Sequence, residues 1–113
     1  MPTRVPITIT LAGAHLIFLA GATLAQSGPA SPQRGHELAA RLCTTCHAVD
    51  RETSGPVRAD VPTFPVIASR PWATPEYLAA RIMVPHPAMP GVPLTAQEIR
   101  DIVAYIGTLK RNN

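Results

Sequence analysis

Cys43-Thr44-Thr45-Cys46-His47 is the stretch that decides how the rest of the chain is read. Two thiols three residues apart, near a helix end, lie on one side of the backbone. They can add to the two vinyl groups of a haem and form thioethers, and C-x-x-C-H is the signature of that attachment. The next residue, His47, then lies under the iron and supplies a ring nitrogen as the proximal ligand. Other readings of the pair fit less well. A redox dithiol calls for a preceding strand and a βαβ pattern, whereas the residues before Cys43 are helix formers. A zinc site wants four ligands, and the chain has no second cysteine pair. A structural disulfide gives no reason for a histidine directly after it.

Working outward, length and composition agree with a cofactor. The 113 residues suffice for one domain. The net charge of +3 is mild, and Lys110 is the only lysine among arginines spread along the chain. With no basic cluster, nucleic acid is excluded as a partner. Residues 26–113 hold four aromatics (Phe64, Trp72, Tyr77 and Tyr105) and eleven prolines. Such a chain builds only a small core from its own side chains, and small domains of this kind need a staple. A covalently held porphyrin is that staple and most of the core.

The N-terminus reads as an export signal. Arg4 forms a sparse positive region, Ile7 to Leu24 is mostly apolar, and Thr23 and Ala25 are small residues at the −3 and −1 positions of a cut before Gln26. Ala20-Gly21-Ala22 offers a second cut site. A retained membrane anchor is the alternative, the stretch being of marginal length for a span. The expected division is therefore a signal peptide over 1–25, a linker over 26–32 and one domain over 33–111. The linker is marked by Ser27-Gly28-Pro29-Ala30-Ser31-Pro32. Removal of residues 1–25 takes Arg4 and leaves nine basic residues against seven acidic ones.

Glu37, Leu38, Ala39, Ala40, Arg41 and Leu42 predict a helix from Gln33 to about Cys46. Ser31 acts as its cap, with Pro32 at the start. Leu38 and Leu42, four apart, face one way. Gly35, Leu38 and the haem signature together resemble the first helix of the class I cytochromes c. That resemblance extends over residues 33–110 and implies an all-α fold, with about three main helices and Pro-rich loops wrapped around one covalently bound haem. It also implies that Gly35 lets the last helix approach closely, with Tyr105 packed against it.

Residues 48–73 read as a loop, turned at Ser54-Gly55-Pro56 and kept extended by Pro62, Pro65 and Pro71. By resemblance, Pro56 offers its carbonyl to the second ring nitrogen of His47, a bond that fixes the ring and raises its basicity. Otherwise Gly55-Pro56 is a surface turn. Phe64 and Ile67 are expected in the wall of the haem pocket, and Arg70 and Trp72 carry donors suited to a propionate.

Thr74-Pro75-Glu76 starts a second helix, which Pro85 stops near Met83. The loop Pro85-His86-Pro87-Ala88-Met89-Pro90-Gly91-Val92-Pro93 follows. The resemblance implies that Met89 is the distal thioether ligand, held by a loop whose prolines lock φ. Two competitors stay open: His86, a stronger ligand in the same loop, and Met83, read as helix core. A capping box at Thr95-Ala96-Gln97-Glu98 opens the last helix. Its stripe of Ile99, Ile102, Val103, Ile106 and Leu109 faces the core. Lys110 and Arg111 are expected to suit its C-terminal dipole.

The function expected is one-electron transfer between a donor and an acceptor outside the cytoplasm, in the periplasm, by a carrier that is soluble once its signal is removed. No catalytic side chain is assigned. A gas-binding or enzymatic haem protein, or a haem-carrying subunit of a larger dehydrogenase or oxidase, are the alternatives.

Overall fold

The computed structural model describes residues 1, 28–52, 58–84, 86 and 89–111. The proposed signal peptide, with Arg4 and its cut site, lies outside these residues, as does Pro56. Among the described residues there are four helices and no strand. They are α1 (Pro32–Leu42), α2 (Phe64–Ala68), α3 (Pro75–Met83) and α4 (Ala96–Thr108). No helix among them is long and apolar enough to cross a membrane. The fold is the all-α arrangement expected of a small cytochrome c, with one additional short helix.

Local chemistry accounts for the helix starts. In α1, α2 and α3 a Ser or Thr cap accepts a bond from a backbone N–H of the first turn, and a proline occupies one of the first two positions. In α4 the Thr95 hydroxyl accepts from Glu98 N at 3.2 Å, while Thr95 N donates to Glu98 Oε2 at 2.7 Å, closing the expected box. These bonds hold the Glu98 carboxyl below its usual range.

Helix α1 stops at Leu42, earlier than its composition predicts. Cys43 N still donates to Ala39 O at 2.9 Å, but the backbone then folds into tight turns. Cys46 N and His47 N both donate to Cys43 O, at 3.1 and 2.8 Å. The haem signature is thus a compact knot at the helix end. Helix α2 falls inside the stretch read as a loop. At five residues it is too short to show a period, and its Pro65 reads as a breaker although it stands in the first turn.

The core gathers on α4. Ile99, Ile102, Val103, Ile106 and Leu109 are all buried, against Leu38 and Ala39 of α1, Phe64 and Ala68 of α2 and Leu78 of α3. Helix α1 crosses α4 at Gly35, where a side chain would collide with the backbone of Asp101 and Ile102. Ala39, one turn on, is fully buried. The close approach expected at Gly35 is present, but its partner is the backbone of Asp101 and Ile102 rather than Tyr105. The Tyr105 ring lies 4.8 Å from that of His36, and its hydroxyl reaches Val49 O at 3.0 Å and Asp50 Oδ1 at 2.8 Å. The last aromatic of α4 therefore ties down the chain that leaves the haem signature. Burial, then the hydrogen bond to Asp50, push the Tyr105 phenol well above its ordinary value.

Three further details differ from expectation. Met83 is exposed rather than core, because it ends α3 on the side away from Leu78. Helix α4 ends at Thr108, so Lys110 and Arg111 lie past its last turn; Arg51 Nη2 bonds the Thr108 carbonyl instead, at 3.0 Å. Asp101 had no part in the apolar stripe, yet it is almost wholly buried. Its carboxylate accepts from Ser31 N (2.7 Å), Arg34 Nε (2.9 Å) and Gln97 Nε2 (3.0 Å). The Arg34 guanidinium, with these backbone and amide donors, holds the Asp101 carboxyl below the usual range. The end of the expected linker is tied to the domain by this cluster, and Pro29 O accepts from Arg34 Nη2.

Candidate functional site

A cleft of about 460 Å³ opens among the four helices. Cys43, Cys46 and His47 reach it from the end of α1. Met89, with His86, Pro90 and Val92, reaches it from the loop ahead of α4. The fold thus brings together four of the five expected site residues, which lie up to 46 positions apart in the sequence.

His47 is the most constrained of them. Its Nδ1 lies 2.7 Å from the carbonyl oxygen of Pro62. A carbonyl only accepts, so Nδ1 carries a hydrogen; in the neutral ring Nε2 then keeps its lone pair, the tautomer a metal ligand needs. The Phe64 ring flanks the imidazole at 5.4 Å between centroids, and Phe64 N donates to Ala48 O at 2.9 Å. The carbonyl expected of Pro56 is therefore supplied by Pro62. Several prolines in this stretch offer a carbonyl, and local sequence does not separate them. What selects Pro62 is the start of α2, which the sequence did not reveal.

The thiols of Cys43 and Cys46 are both half-buried. Burial, and then the neighbouring Cys46, push the Cys43 thiol up. A nucleophilic thiol of a redox dithiol depends on the opposite shift, which Cys43 does not show. Among the described residues no three His, Cys, Asp or Glu side chains converge as an ion cage.

The remaining lining is mostly apolar. Phe64, Ile67, Leu78, Ile82, Ile102 and Ile106 form the walls. Phe64 and Ile67 were expected there; the α4 residues turn one edge of their core stripe to the cleft. Leu42, exposed at 41% although it shares a helix face with buried Leu38, also lines it. At the mouth, Trp72 and Tyr77 lie 4.9 Å apart and are both exposed. Trp72 lines the cleft as expected, whereas Arg70 is not among the lining residues and Arg81 is. Asp60 completes the rim, its carboxyl held below the usual range by Arg58 at 2.7 Å. Two thiols, one oriented imidazole, one thioether and apolar walls in a volume typical of cofactor sites fit a flat apolar macrocycle with a metal centre.

Comparison with known proteins gives the same answer. The family of cytochrome c oxidase, cbb3-type, subunit III, matches residues 30–106. Cytochrome c-552 of Bradyrhizobium diazoefficiens is 38% identical over 100 residues, which cover 88% of this chain and 95% of that protein. No solved structure matches the chain.

Proposed function

Because the chain belongs to the class I mono-haem cytochrome c family and carries covalently attached haem c, we propose that it is an exported one-electron carrier between redox partners outside the cytoplasm. Bound haem supplies an iron that gains and loses one electron. With haem bound, Cys43 and Cys46 would hold the macrocycle through thioethers, and His47 through Nε2 and Met89 through its sulfur would hold the iron. The observation that carries this reading is the His47 Nδ1 to Pro62 bond beside the two thiols, in a cleft that Met89 shares. That bond holds the ring in one tautomer and one orientation, as a ligand present in both oxidation states requires.

The rest of the chain supports transfer rather than turnover. The apolar walls keep the dielectric low, and a thioether ligand favours the reduced iron and raises the potential. Exposed Leu42, Trp72 and Tyr77 at the cleft mouth give a donor or acceptor an apolar place to dock. Arg4, the apolar run from Ile7 and the small residues Thr23 and Ala25 support export to the periplasm.

The test is substitution at the loop. Met89→Ala is expected to abolish the far-red absorption of the oxidised protein and to lower its reduction potential. Met83→Leu, at an exposed position, leaves both unchanged. Loss of the far-red band in His86→Ala but not in Met89→Ala would overturn the assignment.

A second reading is favoured by the matched family itself, whose description is that of an oxidase subunit. In it the chain is the haem-carrying subunit of a larger complex, docked through the same apolar rim. Co-purification from the native membrane at fixed stoichiometry supports that reading, and a monomeric soluble protein opposes it.

A further inference from the structure

The loop ahead of α4 presents two metal-binding side chains to the cleft, and the proposed function uses one. Both His86 and Met89 line it. Met89 N donates to His86 O at 2.9 Å, a backbone bond that holds the two residues side by side. The imidazole and the thioether therefore project from neighbouring points into one space.

The His86 ring is half-buried rather than fully solvated. Its Nδ1 is buried and has no hydrogen-bond partner among the described residues. Native proteins pair nearly all buried polar atoms, and an exception calls for a specific cause such as a bound ion. Leaving such an atom without a partner forfeits the hydrogen bond it would make with water. Among the described residues neither Arg81 nor Asp60, the charged groups of the cleft, bonds it: Asp60 is engaged by Arg58. A histidine kept only for solubility would turn this nitrogen to water.

We infer that His86 is a reserve axial ligand, which takes the iron whenever the Met89 thioether is off it. The inference rests on the proposed function, since it presumes haem in this cleft. Imidazole binds ferric iron more firmly than a thioether does, and the thioether favours the ferrous state. Exchange between the two lowers the potential without opening the iron. The chain therefore keeps two ligands on the metal where a loop with Met89 alone would leave a reactive open site.

The experiment compares holoproteins with haem attached: wild type, Met89→Ala, His86→Ala and the double variant. The readouts are the electronic spectrum of the oxidised form and carbon monoxide binding to the reduced form. The wild type and His86→Ala are expected to show the far-red band. Met89→Ala loses it but remains six-coordinate and low-spin. The double variant becomes high-spin and binds carbon monoxide readily. With His86 on the iron in about nine molecules of ten, carbon monoxide affinity in Met89→Ala is roughly tenfold below that of the double variant. If Met89→Ala retains too little haem, Met89→Leu, which nearly conserves volume, takes its place in both backgrounds. Identical high-spin spectra and equal carbon monoxide affinities in the single and double variants overturn the inference while leaving Met89 as the ligand. Absence of the far-red band in the wild type overturns the Met89 assignment itself, and with it a reserve role for His86.

Discussion

Asp101 shows how one residue decides where the chain becomes rigid. A carboxylate almost wholly out of water accepts from three residues in two separate segments, the start of α1 and the first turns of α4. Hydrogen bonds to a charged group contribute about 1.5–3 kcal/mol each at most. Arg34 is half exposed and keeps its solvation when the partner is lost. Asp101→Asn is therefore expected to lower stability by about 2 kcal/mol, or about 8–16 °C in melting temperature for a domain of this size. Calorimetry of the holoprotein checks it. Because the folded-state pKa of Asp101 is depressed, its contribution is complete above the unfolded value of about 3.9 and is lost as the pH falls through the folded value. Wild type and Asp101→Asn should thus converge in stability below about pH 4; a gap that persists undiminished at pH 2–3 would assign the effect to packing. This residue was not legible in the sequence. It occupies a core position of an apolar helix, and only the crossing of α1 over α4 shows what it pairs with. The converse holds for the meeting of Cys43, Cys46 and His47 at the cleft, which is local and could be read from five letters.

Elements were legible where a cap is followed by a run long enough to show helical composition or period. Ser31, Thr74 and Thr95 each mark a true helix start, and the stripe on α4 is buried as its period requires. Helix α2 escaped because five residues carry no period. With it escaped the Pro62 carbonyl, which α2 positions for His47. The contact at Gly35 was legible as a close approach, but its partner was not, since a small residue says only that something comes near. Backbone, not a movable side chain, lies where a Cβ would be. Gly35→Ala is therefore expected to destabilise the protein, and Gly35→Val more so, by roughly 1–3 kcal/mol from overpacking alone. Thermal melts of the two variants check this ranking. Unchanged stability in Gly35→Val would mean that α1 and α4 cross elsewhere.

At the scale of the whole molecule, helices α1 to α4 enclose a cleft whose walls include part of their own core. A domain this small buries too little apolar surface to be stable by a wide margin, and the haem supplies what the side chains lack. Two expectations follow from covalent attachment at Cys43 and Cys46. Haem stays with the polypeptide under acid–organic extraction, whereas its appearance in the organic phase from a matured sample would contradict the thioethers. Protein expressed without haem maturation is largely unfolded by circular dichroism. The central claim is that the iron is closed by a ligand on each side and serves to carry one electron. It is tested most directly by the visible spectrum of the reduced wild-type protein with and without carbon monoxide. The account predicts a reduced c-type spectrum that carbon monoxide leaves unchanged. A prompt shift of the spectrum on adding carbon monoxide would show an open site and contradict the electron-carrier reading.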